Sequence, residues 1–134
     1  MDRPVPCVGV VCLRGGEVLL IRRGKALLKG EWSIPGGRME LGEGAAQGAL
    51  RELKEETGVE AELLGLIDVV DHFHDAGQAV LIDYAARWTN GEPMAGDDAI
   101  EARFVAIAEA MRLLGWDETR RVIALAVERF APLA

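Results

Sequence analysis

Three glutamates stand close together in one short segment of the chain. Glu55 and Glu56 follow Glu52 by three and four residues, and these spacings bring side chains together on one face of a helix. Carboxylates so close repel one another, and a divalent cation would offset that repulsion. Clustered oxygen ligands suit Mg²⁺ or Mn²⁺, which keep several bound waters and bridge to substrate phosphates. The spacing therefore predicts a site for a divalent metal ion.

The residues that precede the three glutamates fit the same chemistry. Gly36 and Gly37 follow Pro35, where the backbone must turn sharply and can approach a metal or a phosphate closely. Glu43 lies at the start of the predicted helix, where the helix dipole favours a carboxylate. Arg51 is expected to pair with Glu43 or with Glu55, which would fix the carboxylates in position.

The segment from residue 37 to residue 59 resembles the Nudix box. It reads GRMELGEGAAQGALRELKEETGV. The box requires Gly, five residues, Glu, seven residues, Arg-Glu, an aliphatic residue, any residue, Glu-Glu, any residue, Gly and an aliphatic residue. All nine specified positions match, at Gly37, Glu43, Arg51, Glu52, Leu53, Glu55, Glu56, Gly58 and Val59.

The resemblance to the Nudix superfamily implies a fold and a set of roles. The fold would be an α/β (α+β) Nudix-type αβα sandwich with a mixed β-sheet, and the box would form a loop, a helix and a loop. Either Glu52 or a carboxylate outside the box would activate water, and Glu43 and Arg51 would orient the site. The implied Mg²⁺ ligands, with Mn²⁺ as an alternative ion, are Glu52, Glu55, Glu56 and the carbonyl of Gly36.

An acidic residue late in the chain is expected to complete the site. Many Nudix enzymes have an additional metal ligand or base in a loop before a late strand, and Glu101 is the best match to that position. Asp97 and Asp98 compete with Glu101 for the role. The alternative is that all three belong to a solvated acidic loop.

Other residues are candidates for contacts with a nucleotide. Arg23 is favoured for a substrate phosphate because it follows the second predicted strand, although Arg22, Lys25 and Lys29 share its loop and a solvated loop is the alternative. Trp32 is the best candidate for lining the pocket. The remaining aromatic residues are better explained by packing: Phe73, Tyr84, Trp88 and Trp116. His72 and His74 fit a structural or pH-sensitive surface pair better than a transition-metal site.

Hydrophobic patterning predicts the elements that position these residues. Strands are expected at residues 5–13, 17–21, 32–34, 62–74, 78–88 and 100–107, with a hairpin turn at Gly15-Gly16 and a loop at residues 22–30. A helix is expected over residues 44–57, ended by Gly58, and another begins with Asp117 as its cap. Gly48 inside the first helix costs about 1 kcal/mol relative to alanine and indicates close packing or a local stability cost.

Composition narrows the class of protein. The chain of 134 residues is expected to form one domain, residues 1–134. A net charge of −7 argues against nucleic acid as a partner but permits a small nucleotide bridged by metal ions.

Cys7 and Cys12 lie about 16 Å apart along one predicted strand, which is too far for a disulfide. Without a membrane-length apolar run or a signal peptide, a soluble cytoplasmic protein is expected, and a homodimer is compatible with the resemblance.

Three functions follow from this reading. The first is hydrolysis of a nucleoside diphosphate linked to another group. The chain as a whole resembles compact bacterial ADP-ribose pyrophosphatase-like proteins, and this resemblance implies ADP-ribose, cleaved to AMP and ribose 5-phosphate, as the leading substrate. The second is cleavage of ordinary or oxidised nucleoside triphosphates to a monophosphate and pyrophosphate. The third is a nucleotide sensor without turnover, against which the complete carboxylate set argues. Sugar and base contacts decide between the first two, because the box handles the diphosphate that both substrates share.

Overall fold

The computed structural model describes residues 3–25 and 29–134. The strands are β1 (Val5–Arg14), β2 (Glu17–Arg23), β3 (Trp32–Ser33), β4 (Gly36–Arg38), β5 (Glu60–His74), β6 (Gly77–Asn90) and β7 (Ala99–Ala106). The helices are α1 (Ala45–Thr57), α2 (Ile107–Leu113) and α3 (Asp117–Phe130), followed by a 3₁₀ turn at Ala131–Leu133. Within the described residues, no helix is both long enough and apolar enough to cross a membrane.

The strands form one mixed sheet. Its order is β3-β2-β1-β6-β5, with β4 also paired to β1 and β7 paired to β2. β1 and β6 run parallel, and the other pairs are antiparallel. Helix α1 covers one face of the sheet, while α2 and α3 cover the other. The predicted mixed α/β sandwich is therefore confirmed.

β1 is buried on both faces from Val8 to Leu13, as the almost wholly apolar sequence at residues 5–13 indicates. Val10 and Cys12 face the core beneath α1, and Val11 and Leu13 face the core beneath α3. Both cysteines are free thiols. The strand therefore forms the centre of two hydrophobic layers and holds the two sets of helices in fixed relation.

β1 changes partner along its length, and this fork creates the site. Its end pairs with β2 through Leu13 and Arg14, whereas its first half pairs with β4, Val8 opposite Gly37 and Gly9 opposite Gly36. A Cβ at Gly36 would overlap the carbonyl oxygen of Val8, so glycine is required for this close approach. The fork brings Gly36 and Gly37, at the start of the Nudix box, against the middle of the sheet.

Helix α1 has nearly the predicted bounds. Gly44 is the N-cap residue, and its N–H donates to the Gln47 side chain at 2.8 Å. Gly58 ends the helix with a left-handed backbone, φ 71°. A Cβ at Gly48 would lie 2.7 Å from Glu43 Oε1. Close packing against Glu43 therefore explains the glycine inside the helix.

Several predicted boundaries were wrong. β2 continues through Arg22 and Arg23, which were placed in a loop, and residues 26–28 of that loop lie outside the described residues. The strand predicted over 100–107 stops at Ala106, and the unpredicted helix α2 begins at the next residue. β4 was also unpredicted. Asp117 does not cap α3, because Trp116 is the N-cap residue and Asp117 pairs with Arg120.

Candidate active site

Three carboxylates converge beside the glycine segment. Glu52, Glu55 and Asp97 each offer an oxygen, and these oxygens lie within 4.8 Å of one another. The glutamates come from α1, and Asp97 comes from the loop between β6 and β7. That loop is attached to the end of α1, since the N–H of Gly96 donates to the Glu56 carbonyl at 2.9 Å. The backbone of α1 thus holds the loop acid next to the acids of the helix.

Asp97 occupies the position for which the sequence favoured Glu101. Its backbone is left-handed, with φ 50°, a conformation that is costly for a residue other than glycine and is common at functional sites. Glu101 instead lies on β7 opposite Arg22, and its carboxylate pairs with Arg22 at 3.4 Å and Arg103 at 3.9 Å. The structure therefore brings Asp97 to the cluster and places Glu101 in a separate ion-pair network.

Glu56 is the most enclosed acid of the site. It is 4% exposed, and its Oε1 accepts a hydrogen bond from the N–H of Gly36 at 2.7 Å. Burial raises the pKa of Glu56 to about 8, with the Gly36 hydrogen bond opposing this and the charge of Glu52 adding to it. Gly36 thus contacts Glu56 through its amide, and ligation of a metal by its carbonyl stays a prediction.

The donor set fits a hard divalent cation. All the converging groups are carboxylates, which suits Mg²⁺ or Mn²⁺ rather than a thiolate- or imidazole-binding metal. Gly37 leaves space for Glu52, because a Cβ there would lie 2.6 Å from Glu52 Cδ. Burial also raises the pKa of Glu52, and a cation in the cluster would stabilise its ionised form.

One guanidinium holds the carboxylates together. Arg51 donates to both oxygens of Glu43, at 2.9 and 2.8 Å. Its Nη1 also donates to Glu52 Oε1 and Glu55 Oε2, each at 2.9 Å. Arg51 thereby neutralises part of the clustered charge and fixes the direction of Glu52.

The Glu43–Arg51 pair predicts an acid dependence of stability. The Arg51 hydrogen bond lowers the pKa of Glu43 from 4.5 to about 2. A lowered pKa stabilises the fold above the unfolded-state value, and this contribution is lost as pH falls from about 4.5 towards 2. In thermal melts between pH 6 and pH 3, we expect Glu43→Gln to lose less Tm than the wild type. Parallel pH profiles for the two proteins would contradict this role.

An open cavity of about 820 Å³ adjoins the cluster on the side of the sheet covered by α3. Glu52 and Glu56 line it, and so do the two residues predicted to contact substrate, Arg23 and Trp32. The charge of Arg23 opposes the rise in the pKa of Glu56. The cavity therefore connects the candidate metal site with a surface large enough for a nucleoside.

The other basic residues of that segment have different surroundings. Arg22 donates to the carbonyl of Gly30 at 3.0 Å. Lys25 lines the cavity, but its ammonium pairs with Asp98 at 2.8 Å. Lys29 is exposed.

Four other residues line the cavity, although the sequence predicted no substrate contact for them. Trp116, expected to serve packing, is 39% exposed and lies 4.7 Å from the ring of His72. His72 and His74 line the cavity with it. Asp83 lies on the cavity floor, and its sequence signal is a lone acid within the apolar stretch at residues 79–86.

The remaining aromatic residues stay outside the cavity. Phe73 is 71% exposed. Tyr84 and Trp88 pack against the core beneath α1. Their positions leave Trp32 and Trp116 as the tryptophans that line the cavity among the described residues.

Residues 3–126 match the NUDIX domain family. The chain belongs to this family. The Nudix box at residues 37–59 supplies the helix acids of the cluster, and the structure adds Asp97 from outside the box.

Two curated relatives resemble this Nudix domain in sequence. One, named ADP-ribose pyrophosphatase, from Methanocaldococcus jannaschii, is 36% identical over 104 residues, which cover 75% of this chain and 61% of the relative. The other, named 8-oxo-dGTP diphosphatase, from Proteus vulgaris, is 34% identical over 84 residues, which cover 61% of this chain and 75% of the relative. The chain thus spans less than two thirds of the archaeal relative's length.

Solved structures share the fold. A NUDIX hydrolase from Nitrosomonas europaea superimposes with a TM-score of 0.82 at 25% identity, covering 98% of this chain and 74% of that one. The NUDIX domain of NrtR from Shewanella oneidensis, solved with ADP ribose, superimposes with a TM-score of 0.83 at 22% identity, covering 97% and 90%. The sheet and its flanking helices are therefore those of Nudix domains.

Proposed function

We propose that this Nudix domain is a divalent-cation-dependent hydrolase that cleaves a phosphoanhydride bond in a nucleoside diphosphate linked to another group. The observation that carries the proposal is the carboxylate cluster of Glu52, Glu55 and Asp97, which opens into a cavity large enough for a nucleoside. A complete acid cluster is needed for turnover, whereas a sensor needs only to bind. The geometry therefore favours an enzyme.

The side chains of the site have different roles in the proposed reaction. Glu52, Glu55, Glu56 and Asp97 would hold the cation, which when bound supplies polarisation of the phosphoryl oxygens and neutralisation of their charge. Glu52, held in one direction by Arg51, accepts a proton from the attacking water. The water oxygen forms a bond to phosphorus, the bridging phosphorus–oxygen bond breaks, and the leaving phosphate keeps that electron pair. Arg23, which lines the cavity, would contact a substrate phosphate.

ADP-ribose is the leading substrate, with AMP and ribose 5-phosphate as products. The name of the archaeal relative supports this choice, and a cavity of about 820 Å³ lies within the range of roughly 300–1,000 Å³ that is typical of small-molecule sites. Nucleoside triphosphates are the second candidate, supported by the name of the Proteus vulgaris relative.

A substrate panel with Mg²⁺ tests the proposal. ADP-ribose, a dinucleoside polyphosphate, dGTP and 8-oxo-dGTP are incubated separately, and products are identified by chromatography. We expect AMP from ADP-ribose, slow reaction of the triphosphates and loss of all cleavage in EDTA. Faster release of pyrophosphate from a triphosphate would favour the second candidate. EDTA-insensitive cleavage would overturn the metal mechanism, and absence of any cleavage would overturn the hydrolase assignment.

The identity of the loop acid is tested by a matched pair of variants. Asp97→Asn removes one carboxylate of the cluster, so we expect kcat to fall on the order of 100-fold. Glu101→Gln breaks the ion pairs with Arg22 and Arg103 outside the cluster, so we expect kcat to change less than about twofold, since exposed pairs contribute little. Steady-state kinetics at saturating Mg²⁺ measure both effects. A larger loss of kcat in Glu101→Gln than in Asp97→Asn would assign the role of the loop acid to Glu101.

A further inference from the structure

A buried carboxylate on the cavity floor has no role in the cation site. Asp83 lies on β6 and is 6% exposed, and it lines the cavity. Within residues 3–25 and 29–134, its carboxylate has no side-chain hydrogen bond or ion pair. Its cross-strand neighbour Asp68, by contrast, pairs with Arg121 at 2.7 Å. The carboxylate is therefore open to a hydrogen-bond donor that enters the cavity, and such a donor would offset the cost of desolvating the acid.

The direction of this carboxylate is defined by Gly9. A Cβ at Gly9 would overlap Oδ1 of Asp83 and would lie 3.1 Å from Ile34 Cδ1. The oxygen therefore occupies space above β1 that any other residue at position 9 would fill. Asp83 leans from its own strand across β1, towards β4, which carries Gly36 and Gly37.

The distance to the carboxylate cluster follows from the sheet. Gly9 pairs with Asp83 on one side and with Gly36 on the other, so the three residues form one row. Neighbouring strands are about 4.8 Å apart, which puts the backbone of Asp83 about 10 Å from Gly36. Because the side chain leans over Gly9, its Oδ1 lies on the side of its own strand that faces Gly36. The group of a nucleotide that is bonded directly to the phosphate, the pentose, falls in this interval.

We propose that Asp83 is a specificity-determining residue that accepts hydrogen bonds from the vicinal hydroxyls of a substrate pentose. This proposal rests on the hydrolase function proposed above. Burial raises the pKa of Asp83 to about 6, with Asp68 adding to this and Arg121 opposing it, so the group is mainly ionised at neutral pH. An ionised carboxylate accepts through both oxygens and donates none. Two neighbouring hydroxyls can donate one hydrogen bond to each carboxylate oxygen, whereas a deoxyribose leaves one oxygen without a donor.

The test compares ribose and deoxyribose substrates in the wild type and in Asp83→Asn. The substrates are ADP-ribose and its two analogues that lack the 2-hydroxyl of one pentose or the other, with Mg²⁺. In the wild type we expect one of the two deoxygenations to lower kcat/KM about tenfold or more, mainly through KM. Asp83→Asn should lower kcat/KM for ADP-ribose 10- to 100-fold and should change that deoxy analogue little. An equal loss on all substrates would overturn the proposal.

Two further variants separate specificity from folding. Gly9→Ala displaces the Asp83 carboxylate, so it should reproduce the preference of Asp83→Asn. Asp68→Asn removes a paired acid from the same ladder and should keep the wild-type preference for ribose. Since Asp83 has no partner to lose, Asp83→Asn should melt at the same or a higher Tm. A large drop in Tm would indicate a structural role for Asp83 and overturn the proposal.

The role of Asp83 can be tested separately from the proposed hydrolase function. If triphosphates prove to be the substrates, the same comparison uses GTP and dGTP. If no nucleotide is cleaved, the hydrolase assignment fails, and calorimetry with AMP and 2′-deoxy-AMP then tests Asp83 alone. Tighter binding of AMP that disappears in Asp83→Asn would support its role. Equal binding of both nucleotides, or binding of neither, would overturn it.

Discussion

Glu52→Gln is expected to lower kcat on the order of 1,000-fold without unfolding the protein. Glutamine keeps the length of the side chain and can still accept the 2.9 Å hydrogen bond from Arg51. It removes the negative charge that holds a cation and the group that takes the proton from water. Burial already raises the pKa of Glu52, so a neutral side chain suits this environment. Tm should therefore stay constant or rise while turnover is lost.

The control for this variant is Glu128→Gln. Glu128 is an exposed residue of α3, a helix on the opposite face of the sheet from α1. The same chemical change there should leave both kcat and Tm within experimental error, because isolated surface charges contribute little. A folded Glu52→Gln protein with nearly wild-type turnover would exclude Glu52 from both the metal site and water activation.

Local spacing is the reason that much of the fold was predictable. The apolar run of β1 and the three- and four-residue periodicity of α1 each report burial directly. Gly58 adopts the left-handed backbone expected of a residue that ends a helix. Glu52, Glu55 and Glu56 share one helix, so their proximity follows from the pitch of that helix alone.

Contacts between residues that are far apart in the sequence could not be predicted from local spacing. The choice between Asp97 and Glu101 depends on how the loop before β7 attaches to the end of α1, through hydrogen bonds such as Gly96 to Glu56. Those contacts join residues 40 positions apart, and no local pattern reports them. The three-residue strand β4 could not be predicted from local sequence either, because it pairs with a part of β1 that does not pair with β2. Asp83 was missed because a single acid in a strand has no periodicity.

The glycines at the fork of β1 connect the fold with the chemistry. At Gly36 the missing side chain admits the carbonyl of Val8, at Gly37 it admits the carboxylate of Glu52, and at Gly9 it admits Asp83. Backbone has no freedom to move away from a new Cβ, whereas a side-chain terminus has. Substitution at Gly36 should therefore damage folding, and substitution at Gly37 should damage the site.

Gly37→Ala is accordingly expected to lower kcat on the order of 100-fold, since a displacement of about 1 Å in a catalytic group can have that effect. The new Cβ would lie 2.6 Å from Glu52 Cδ and 2.7 Å from each of its oxygens, so the carboxylate must turn away. A side-chain rotation of this kind costs about 0.5–1.5 kcal/mol, and Tm should fall only slightly. Gly16→Ala is the control, because a Cβ there meets nothing within 4 Å.

A double variant shows whether Gly37 acts through Glu52. If alanine at position 37 slows turnover because it displaces that carboxylate, Gly37→Ala combined with Glu52→Gln should be no slower than Glu52→Gln alone, since coupled residues give non-additive losses. Steady-state kinetics on the two single variants and the double variant provide the comparison. Multiplied losses in the double variant would mean that Gly37 serves the reaction independently, through its backbone, and that the space it leaves for Glu52 is not what the enzyme uses.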